Sequence, residues 1–312
     1  MLTIYAPAKV NLVLEVLGEC DGYHQISSII QAVNLYDILS FQLDEEMSFK
    51  CNKPSLEQDN LVTRAAMLLK ELTKCKRGAR IELCKYIPWG AGLGGGSSDA
   101  AAALLALDKL WELRLSSSEL VYLASKLGSD VPFFIYGGTA LVEGRGDKVT
   151  PLPLLPKVCF VLLVPPLLGV VNKTRQLYSK LNANHFTKGQ FVHGALLSLM
   201  QGKAIDPTLM FNVFEKVAFD FFPDLSKYKK SFEKAGASSV CLAGSGPCFF
   251  TLAPDEGKAN ELCFYLREQG LESYVVTTEG FRFSGDLEFS PTISWGTRGI
   301  NRARSGFFMG IM

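Results

Sequence analysis

A glycine-rich segment, WGAGLGGGSS, holds the residues whose types and spacing most clearly indicate chemistry. Five of the seven positions from Gly90 to Gly96 are glycine, and Ser97 and Ser98 follow directly. Glycine lets the backbone adopt positive φ and lets N–H groups approach an oxygen closely. The Ala- and Leu-rich stretch that follows predicts a helix over 97–113. Because a helix start carries unpaired N–H donors and a partial positive charge, the segment predicts a polyphosphate pocket.

Two better-known phosphate motifs fit this segment less well. A Walker A loop needs a lysine after its glycines, and none follows here. The dinucleotide fingerprint G-x-G-x-x-G matches at Gly90, Gly92 and Gly95, but the acidic residue at the required distance, Asp108, falls inside the predicted helix. We therefore expect a glycine-rich turn that ends at a helix N-terminus, with two serine hydroxyls available to phosphate or to a metal ion.

An aspartate between apolar residues is a second candidate for chemistry. Asp130, in GSDVPFF, is flanked by apolar residues that should partly desolvate its carboxylate, which raises the pKa of a carboxyl unless a cation is near. A helix cap or a buried-turn aspartate is the alternative interpretation of Asp130.

The composition is that of a globular protein of two domains. The chain has 312 residues, 48% hydrophobic and 20% charged, with a net charge of +1. This balance excludes a strongly basic surface, so we expect neither nucleic acid nor an anionic membrane as a partner. The eight cysteines contain no C-x-x-C pair and there are only three histidines, which predicts reduced thiols in a cytoplasmic protein and no zinc site. No signal peptide is visible, and the longest apolar run, near 158–169, is too short to span a membrane.

Periodicity in the first half predicts strands followed by helices. Two long strands within 1–49 are joined by a turn at 18–22. There follow a helix over 60–74 that Asp59 can cap, a strand over 79–87, the helix after the glycines, and a helix over 116–128 with a capping box at Ser116 and Glu119 and a stop at Gly128.

The proline-rich stretch PLPLLPK, 151–157, marks the expected domain boundary, giving domains 1–156 and 157–283. The second half predicts a strand over 158–164, helices to about residue 235, two strands around a Gly-Ser-Gly-Pro turn within 238–253, a helix over 256–269 and a strand over 273–281. This order is typical of a split β-α-β sandwich. Residues 284–312 have no sustained period and predict an appended, poorly ordered tail.

Several segments together resemble a known family. PWGAGLGGGSS (88–98) resembles the phosphate loop of the GHMP small-molecule kinases. The further segments PAKVN (7–11), DGYHQISSIIQ (21–31), GSDVPFFIYGGTALVEGRGD (128–147) and AGSGP (243–247) are similar to those members that act on a cytidine diphosphate-linked methylerythritol. The resemblance runs from residue 1 to about 283.

This resemblance implies a fold and a reaction. The fold is the α+β GHMP kinase fold, with an N-terminal ribosomal-protein-S5-like β/α domain containing a left-handed crossover, and a C-terminal ferredoxin-like α/β sandwich. In the implied reaction, ATP phosphorylates the 2-hydroxyl of the cytidine-linked polyol, with Mg²⁺ expected. The partner is then a small molecule, and the chain a monomer or weak homodimer. A mevalonate- or homoserine-type kinase and a catalytically silent binding protein are the alternatives; segments 22–24 and 128–132 disfavour the former, and intact Lys9 and Asp130 the latter.

The resemblance also implies roles for single residues. Lys9, in PAKVN, and Asp130 are the expected catalytic pair, with Lys9 as the cation beside the carboxylate. A surface lysine between strand residues is the alternative interpretation of Lys9. The residues expected to bind ATP are Pro88, Trp89, Gly90, Ala91, Gly92, Leu93, Gly94, Gly95, Gly96, Ser97, Ser98 and Asn60. The residues expected to bind the substrate are Asn11, Tyr23, His24 and Thr174, and those expected beside the phosphate loop are Gly244, Ser245 and Gly246. No ligand of the metal is named.

Some of these assignments have structural alternatives. Asn60 can contact adenine or cap the helix that follows it. Tyr23 and His24 can stack on and hydrogen-bond a cytosine, or pack on a hairpin and face solvent. The turn 244–247 can close over phosphates or simply join two strands. The chain also departs from the family at 212–215, where Asn-Val-Phe-Glu replaces Asn-Asp-Leu-Glu, and Thr174 is only the nearest match to a family Ser or Thr.

Overall fold

The computed structural model describes residues 1–170, 172–203 and 205–280. The predicted tail, 284–312, lies outside these residues. None of the helices in the described part combines the length and the apolar character that a membrane crossing requires.

The long hairpin predicted within 1–49 is the central feature of the fold. Strand β1 (Leu2–Cys20) pairs antiparallel with β2 (Tyr23–Asp44) along its whole length. Asp21 and Gly22 form the turn, both with positive φ (53° and 74°). An Asp-Gly pair in this conformation matches the twist of the flanking strands, which explains why the turn lies here.

The described strands form two sheets, and the hairpin belongs to the larger one. Its order is β3-β4-β2-β1-β8, and β5 pairs with the part of β2 that β4 leaves open, while β6 pairs with β5. The added strands are β3 (Met47–Cys51), β4 (Gly78–Cys84), β5 (Thr139–Gly144), β6 (Lys148–Pro151) and β8 (Phe211–Asn212). Strand β8 comes from the second half of the chain and pairs parallel with β1.

Four helices cover this sheet: α1 (Leu61–Thr73), α2 (Gly95–Trp111), α3 (Ser117–Leu127) and α4 (Val131–Tyr136). Helix α2 is central and contacts the other three as well as β1 and β2. Its alanines, residues 100–103, are all fully buried. Small side chains let the neighbouring helices and strands approach α2 closely, so the phosphate loop at its start is built on a rigid element.

The second half forms a four-stranded sheet of order β11-β7-β10-β9 with helices on both faces. The strands are β7 (Cys159–Val164), β9 (Cys241–Leu242), β10 (Phe249–Ala253) and β11 (Glu272–Thr277). The helices are α5 (Lys173–Tyr178), α6 (Gln190–Met200), α7 (Glu215–Phe221), α8 (Leu225–Lys234) and α9 (Glu256–Glu268). Single 3₁₀ turns lie at Pro54–Leu56, Ala183–His185 and Pro207–Leu209.

The two halves share a hydrophobic core. The side chains of strand β7 point alternately to the two faces of its sheet, as successive side chains of a strand do. Phe160 and Leu162 pack with Val10 of β1 and with α6, whereas Val161 and Leu163 pack with the outer helices. The hydrophobic core on this face of the second sheet thus continues through β1 into the first half. The loops at the end of this shared core lie together.

Several predicted element boundaries are wrong. The strand predicted over 79–87 ends at Cys84, because the N–H groups of Tyr86 and Ile87 donate to the Asp37 side chain, and the strand predicted over 273–281 ends at Thr277. Helix α1 is capped by Asn60, whose side chain accepts a hydrogen bond from the Val62 N–H, and not by Asp59. Helix α2 begins at Gly95 rather than at Ser97, because Gly94 adopts the left-handed conformation (φ 73°) and brings the next glycines into the first turn. The capping box of Ser116 with Glu119 is confirmed.

Candidate active site

The phosphate loop, residues 88–98, requires glycine at its centre. Gly92 has φ 90°, and a Cβ there would lie 2.1 Å from the Ala243 carbonyl oxygen. Gly94 has φ 73°, and a Cβ there would lie 2.9 Å from both Lys9 Cγ and Phe134 Cζ. Positive φ and close approach both exclude larger side chains. The loop therefore fits tightly against its neighbours.

The carbonyl oxygens of this loop are bound by protein donors. The Leu93 oxygen accepts from the Lys9 N–H at 2.9 Å, and the Ala91 oxygen from the Cys248 N–H at 3.1 Å. The Gly90 oxygen accepts from the Lys173 ammonium at 2.8 Å. The N–H groups in the first turn of α2 have no acceptor within the helix. With the carbonyls occupied and the N–H groups available, the loop is suited to an anion.

A buried ion network lies under the loop. The Lys85 ammonium contacts a carboxylate oxygen of Asp37 and lies 2.7 Å from Asp99 Oδ2. Asp37 also accepts from the backbone N–H groups of Tyr86 and Ile87, so it fixes the chain that enters the loop. All three charged side chains are at most 4% exposed. The network joins β2, the end of β4 and α2 beneath the glycines.

Burial shapes the protonation of this network. Burial raises the pKa of the Asp99 carboxyl to about 8, and the neighbouring Asp37 adds to this although Lys85 opposes it. Burial also acts to lower the pKa of Lys85, but the two carboxylates outweigh it and raise that pKa above its usual value. One buried ammonium faces two carboxyl groups, which leaves an excess negative charge when both carboxyl groups are ionised. A proton on Asp99 removes this excess charge.

Lys9 and Asp130 lie beside the loop and face each other. Lys9 Nζ is 3.4 Å from Asp130 Oδ2. The lysine is buried at 3% exposure, so the surface-lysine alternative is wrong, whereas the Asp130 side chain is 41% exposed. Asp130 occupies the N-cap position of α4 but makes no capping hydrogen bond. Its carboxylate therefore points to a solvent-accessible space next to a buried cation.

Asn11 continues this line of polar groups along β1. Its Oδ1 accepts from Lys9 Nζ at 2.6 Å, and its Nδ2 donates to Ser28 Oγ at 2.9 Å. The loop 243–247, called here the second loop, covers these residues. A Cβ on Gly244 would lie 3.1 Å from Lys9 Nζ and 2.9 Å from the Gly92 oxygen. The structure thus brings β1, the phosphate loop and the second loop together.

The side chain of Asn212 holds the second loop from below. Its Nδ2 donates to the carbonyls of Leu242 and Gly244 at 2.7 and 2.8 Å, and its Oδ1 accepts from the Phe214 N–H. The departure from the family pattern at 213–214 places Val213 and Phe214 in the buried core. The changed residues therefore have a packing role and leave the asparagine contacts intact.

Tyr23 and His24 lie at the tip of the long hairpin. Tyr23 is 52% exposed, and the Arg145 guanidinium lies over its ring at 3.7 Å. The His24 ring stacks on Tyr178 with centroids 5.0 Å apart, and the edge of Phe186 approaches it at 5.9 Å. His24 is therefore not a solvent-facing residue of a bare hairpin. Burial raises the pKa of Tyr178, and the charge of Asp130 acts in the same direction, so Tyr178 connects the hairpin tip to the Lys9–Asp130 pair.

The remaining predicted residues lie around the phosphate loop. Trp89 is about half exposed at the outer side of the loop. Asn60 caps α1 by accepting from the Val62 N–H and also donates to the Leu56 oxygen of the preceding 3₁₀ turn, which favours the capping role. Thr174 hydrogen-bonds Ser245 Oγ at 2.9 Å, so it lies at the second loop and not at the hairpin tip.

Ser98 is the residue of this site that fits a metal-bound phosphate. Its hydroxyl is buried and has no hydrogen-bond partner. Within the described residues no three His, Cys, Asp or Glu side chains are grouped as metal ligands. An ion at this site would therefore be held mainly by phosphate oxygens, with the Ser98 hydroxyl as an available protein ligand.

Four important residues were missed by sequence reasoning: Asp37, Lys85, Tyr178 and Lys173. Lys85 follows a strand in which Ala79, Ile81 and Leu83 form the buried face, and the alternation places Lys85 on that same face. A charged residue on the core side of a strand is the signal that could have found it. Its partner Asp37 is 48 positions earlier in the chain, and the alternation does not identify that partner.

Comparison with known proteins places the chain in a family. The models for the GHMP kinases N-terminal and C-terminal domains match residues 60–138 and 194–271. A 4-diphosphocytidyl-2-C-methyl-D-erythritol kinase of Dehalococcoides mccartyi is 45% identical, with 90% of this chain and 99% of the relative covered. The enzyme of the same name from a Geobacillus species is 37% identical, with 91% and 99% covered.

The chain belongs to the 4-diphosphocytidyl-2-C-methyl-D-erythritol kinase family of the GHMP kinases. A crystal structure of 4-(cytidine 5'-diphospho)-2C-methyl-D-erythritol kinase superposes with a TM-score of 0.77 at 35% identity, covering 90% of this chain and 100% of the other. A homoserine kinase from Cytophaga hutchinsonii shares the fold alone, with a TM-score of 0.69 at 20% identity and coverage of 89% and 94%. The predicted GHMP kinase fold and the prediction of an ATP-using small-molecule kinase are therefore confirmed.

Proposed function

We propose that this chain transfers the γ-phosphoryl group of ATP to the 2-hydroxyl of 4-diphosphocytidyl-2-C-methyl-D-erythritol, giving the 2-phosphate and ADP. The observation that carries the proposal is the position of Lys9. Its backbone N–H binds the phosphate loop at Leu93, and its ammonium faces Asp130. A phosphate in the loop and a hydroxyl at Asp130 would therefore be neighbours.

The two charged residues divide the work of phosphoryl transfer. Charge collects on the transferring oxygens in the transition state, so positioning and electrostatics dominate the rate. Asp130 accepts the proton of the substrate hydroxyl, and its freedom from capping leaves both carboxylate oxygens available. Lys9 lies between the phosphate loop and Asp130 and stabilises the transferring phosphoryl group. Asn11 fixes the lysine by accepting one of its hydrogen bonds.

The hairpin tip is the proposed site for cytosine. Tyr23 offers an exposed aromatic face, and His24 offers ring nitrogens that can donate and accept hydrogen bonds. Tyr178 stacks on His24, and the charge of Asp130 adds to the effect of burial in raising the pKa of Tyr178. A substrate whose base is remote from its reacting hydroxyl fits this arrangement.

Magnesium is expected with ATP. The unpartnered Ser98 hydroxyl fits either a phosphate oxygen or this ion. When bound, Mg²⁺ neutralises part of the phosphate charge. The loop N–H groups, Lys9 and Asp130 still supply the orientation of the reactants.

A panel of alcohols tests the proposed substrate. The protein is incubated with ATP, Mg²⁺ and each of 4-diphosphocytidyl-2-C-methyl-D-erythritol, mevalonate and homoserine, and ADP release is followed. We expect release above the ATP-alone background only with the cytidine-linked polyol. Release only with one of the other alcohols would refute the proposed substrate, and no release with any alcohol would favour a silent binding protein.

Compartment and assembly belong to the proposal as well. Seven cysteines form no disulfide in the described residues, which supports a reducing compartment such as the cytoplasm: Cys20, Cys51, Cys75, Cys159, Cys241, Cys248 and Cys263. The monomer or weak homodimer stays a prediction, which sedimentation at two protein concentrations would test.

A further inference from the structure

Lys173 is a buried lysine that the reaction proposed above does not use. It begins helix α5 and is only 8% exposed. Its ammonium donates to the carbonyl oxygens of Gly90, at 2.8 Å, and of Gly246. The first carbonyl belongs to the phosphate loop and the second to the second loop. A single side chain from α5 thus links the two loops that enclose the proposed ATP phosphates.

The neighbouring residue reinforces this link. Thr174 Oγ1 hydrogen-bonds Ser245 Oγ at 2.9 Å, so two successive residues of α5 hold the second loop. The two loops are also in tight contact, since a Cβ on Gly92 would lie 2.9 Å from the Gly246 nitrogen. A small displacement of the Gly246 carbonyl would therefore move the phosphate loop as well.

No acidic group in the described part of the chain pairs with the charge of Lys173. Among the described residues, the titratable groups that act on it are Lys9 of β1, itself paired with Asp130, and the Cys248 thiol after the second loop. Burial lowers the pKa of Lys173 to about 8, and the charge of Lys9 adds to this. Carbonyl oxygens carry only partial charges, so an anion in the loop would supply the missing counter-charge.

We propose that Lys173 is a positioning residue for ATP, whose ammonium holds the Gly90 and Gly246 carbonyls and so fixes the two loops around the phosphates. This inference rests on the proposed function only in taking ATP as the ligand of the loop. Lys173 acts through these carbonyls rather than on the reacting atoms. Its removal should weaken ATP binding more than it slows transfer.

The variant Lys173→Met tests this, with Lys180→Met as the matched control on an exposed lysine seven residues later. The ATP dissociation constant is measured by calorimetry without alcohol substrate, and KM for ATP and kcat with it. We expect at least a tenfold weaker ATP affinity and a raised KM in Lys173→Met, with kcat at saturating ATP within threefold of wild type. Lys180→Met should match wild type. Unchanged ATP affinity in Lys173→Met would overturn the proposal.

The pH profile separates this role from a purely structural one. ATP phosphates are already ionised above pH 7, so a fall in affinity from pH 7 to 9.5 reports on the protein. Wild type and Lys180→Met should lose at least threefold in affinity as the ammonium loses its proton, and Lys173→Met should lose little. An equal fall in all three would overturn the proposal. If Lys173→Met does not fold, Lys173→Gln, which keeps N–H donors without charge, replaces it, and should also show the flat profile.

The two proposals fail in different ways. Intact ATP binding without ADP formation from the cytidine-linked polyol in wild type would refute the proposed function and leave the role of Lys173 standing. Unchanged ATP affinity in both Lys173 variants, with normal turnover in wild type, would refute the role of Lys173 and leave the proposed function standing.

Discussion

The two ends of the proposed active site use different parts of the chain, the backbone at one end and side chains at the other. At the phosphate end, the proposed ligand contacts come from backbone N–H groups, and the supporting charges of Asp37, Lys85 and Asp99 are buried. At the base end, the proposed contacts come from the side chains of Tyr23 and His24 at the tip of a hairpin, and Tyr23 is half exposed. Phosphate is common to many substrates, and the fixed backbone of the phosphate loop, residues 88–98 and called here the cradle, suits it. The base distinguishes substrates, and side chains on a hairpin tip can change without disturbing the core.

The largest effect should follow from a side chain in the cradle. Gly94→Val puts a β-branched residue at φ 73°, with its Cβ 2.9 Å from Lys9 Cγ and Phe134 Cζ. We expect ATP affinity to fall by more than about 100-fold, because the backbone can no longer keep this conformation. Gly18→Val is the matched control, since Gly18 has no positive φ and a Cβ there meets nothing within 4 Å. Calorimetry with ATP measures both, and normal affinity in Gly94→Val would remove the basis of the backbone cradle.

Substitutions at the base end should have smaller effects and leave ATP binding intact. Tyr23→Ala removes a stacking surface worth about 1–3 kcal/mol per base, and stacking tolerates any base. It should weaken cytidine- and uridine-linked substrates alike. His24→Ala should also weaken both substrates, and it should narrow the difference in kcat/KM between them, because hydrogen bonds to the ring edge distinguish one base from the other.

The measurement is kcat/KM for both substrates in wild type and the two variants. If His24→Ala leaves the cytidine-to-uridine ratio unchanged, His24 does not read the base. A loss of ATP affinity in either variant would show that the two ends are not separate.

The smallest predicted effect concerns the buried charges under the cradle. The pKa of Asp99 is about 8 in the folded protein and about 4 when unfolded, so folding favours the protonated carboxyl. This stabilisation is complete below pH 4 and is lost as the pH rises to 8. Between pH 7 and 9, wild type should lose on the order of 1 kcal/mol more unfolding free energy than Asp99→Asn.

Urea unfolding at the two pH values measures this difference. Asp220→Asn, on an exposed aspartate, is the control and should lose as much as wild type. Equal losses in all three proteins would mean that Asp99 is ionised in the folded protein.

Local signals in the sequence predicted most of the elements. The Asp21-Gly22 pair predicted the hairpin turn, and Ser116 with Glu119 predicted a capped helix, because both are set by neighbouring residues. The start of α2 was wrong because serine is the usual N-cap, whereas here a left-handed Gly94 begins the helix. Asp59 and Asn60 are both good caps, and composition alone did not decide between them.

The candidate site was predicted in part, and for a different reason. Lys9 and Asp130 came from a resemblance to a family, and the structure brings them within 3.4 Å. The Lys85 network could not be predicted, because it depends on strand register, in which Ile38 of β2 lies opposite Cys84 of β4 and so brings Asp37 to Lys85. The role of Lys173 depends on how loops from both halves meet, which no local pattern encodes.

The most direct test of the account is Asp130→Asn. The side chain caps nothing and is 41% exposed, so the variant should fold, and the substitution leaves the backbone N–H groups of the cradle unchanged. The measurement is ATP affinity by calorimetry together with ADP release in the presence of the cytidine-linked polyol. The account predicts ATP affinity within threefold of wild type and turnover lower by at least about 100-fold, since a general base contributes about 10²–10⁴-fold. Turnover within threefold of wild type would contradict it.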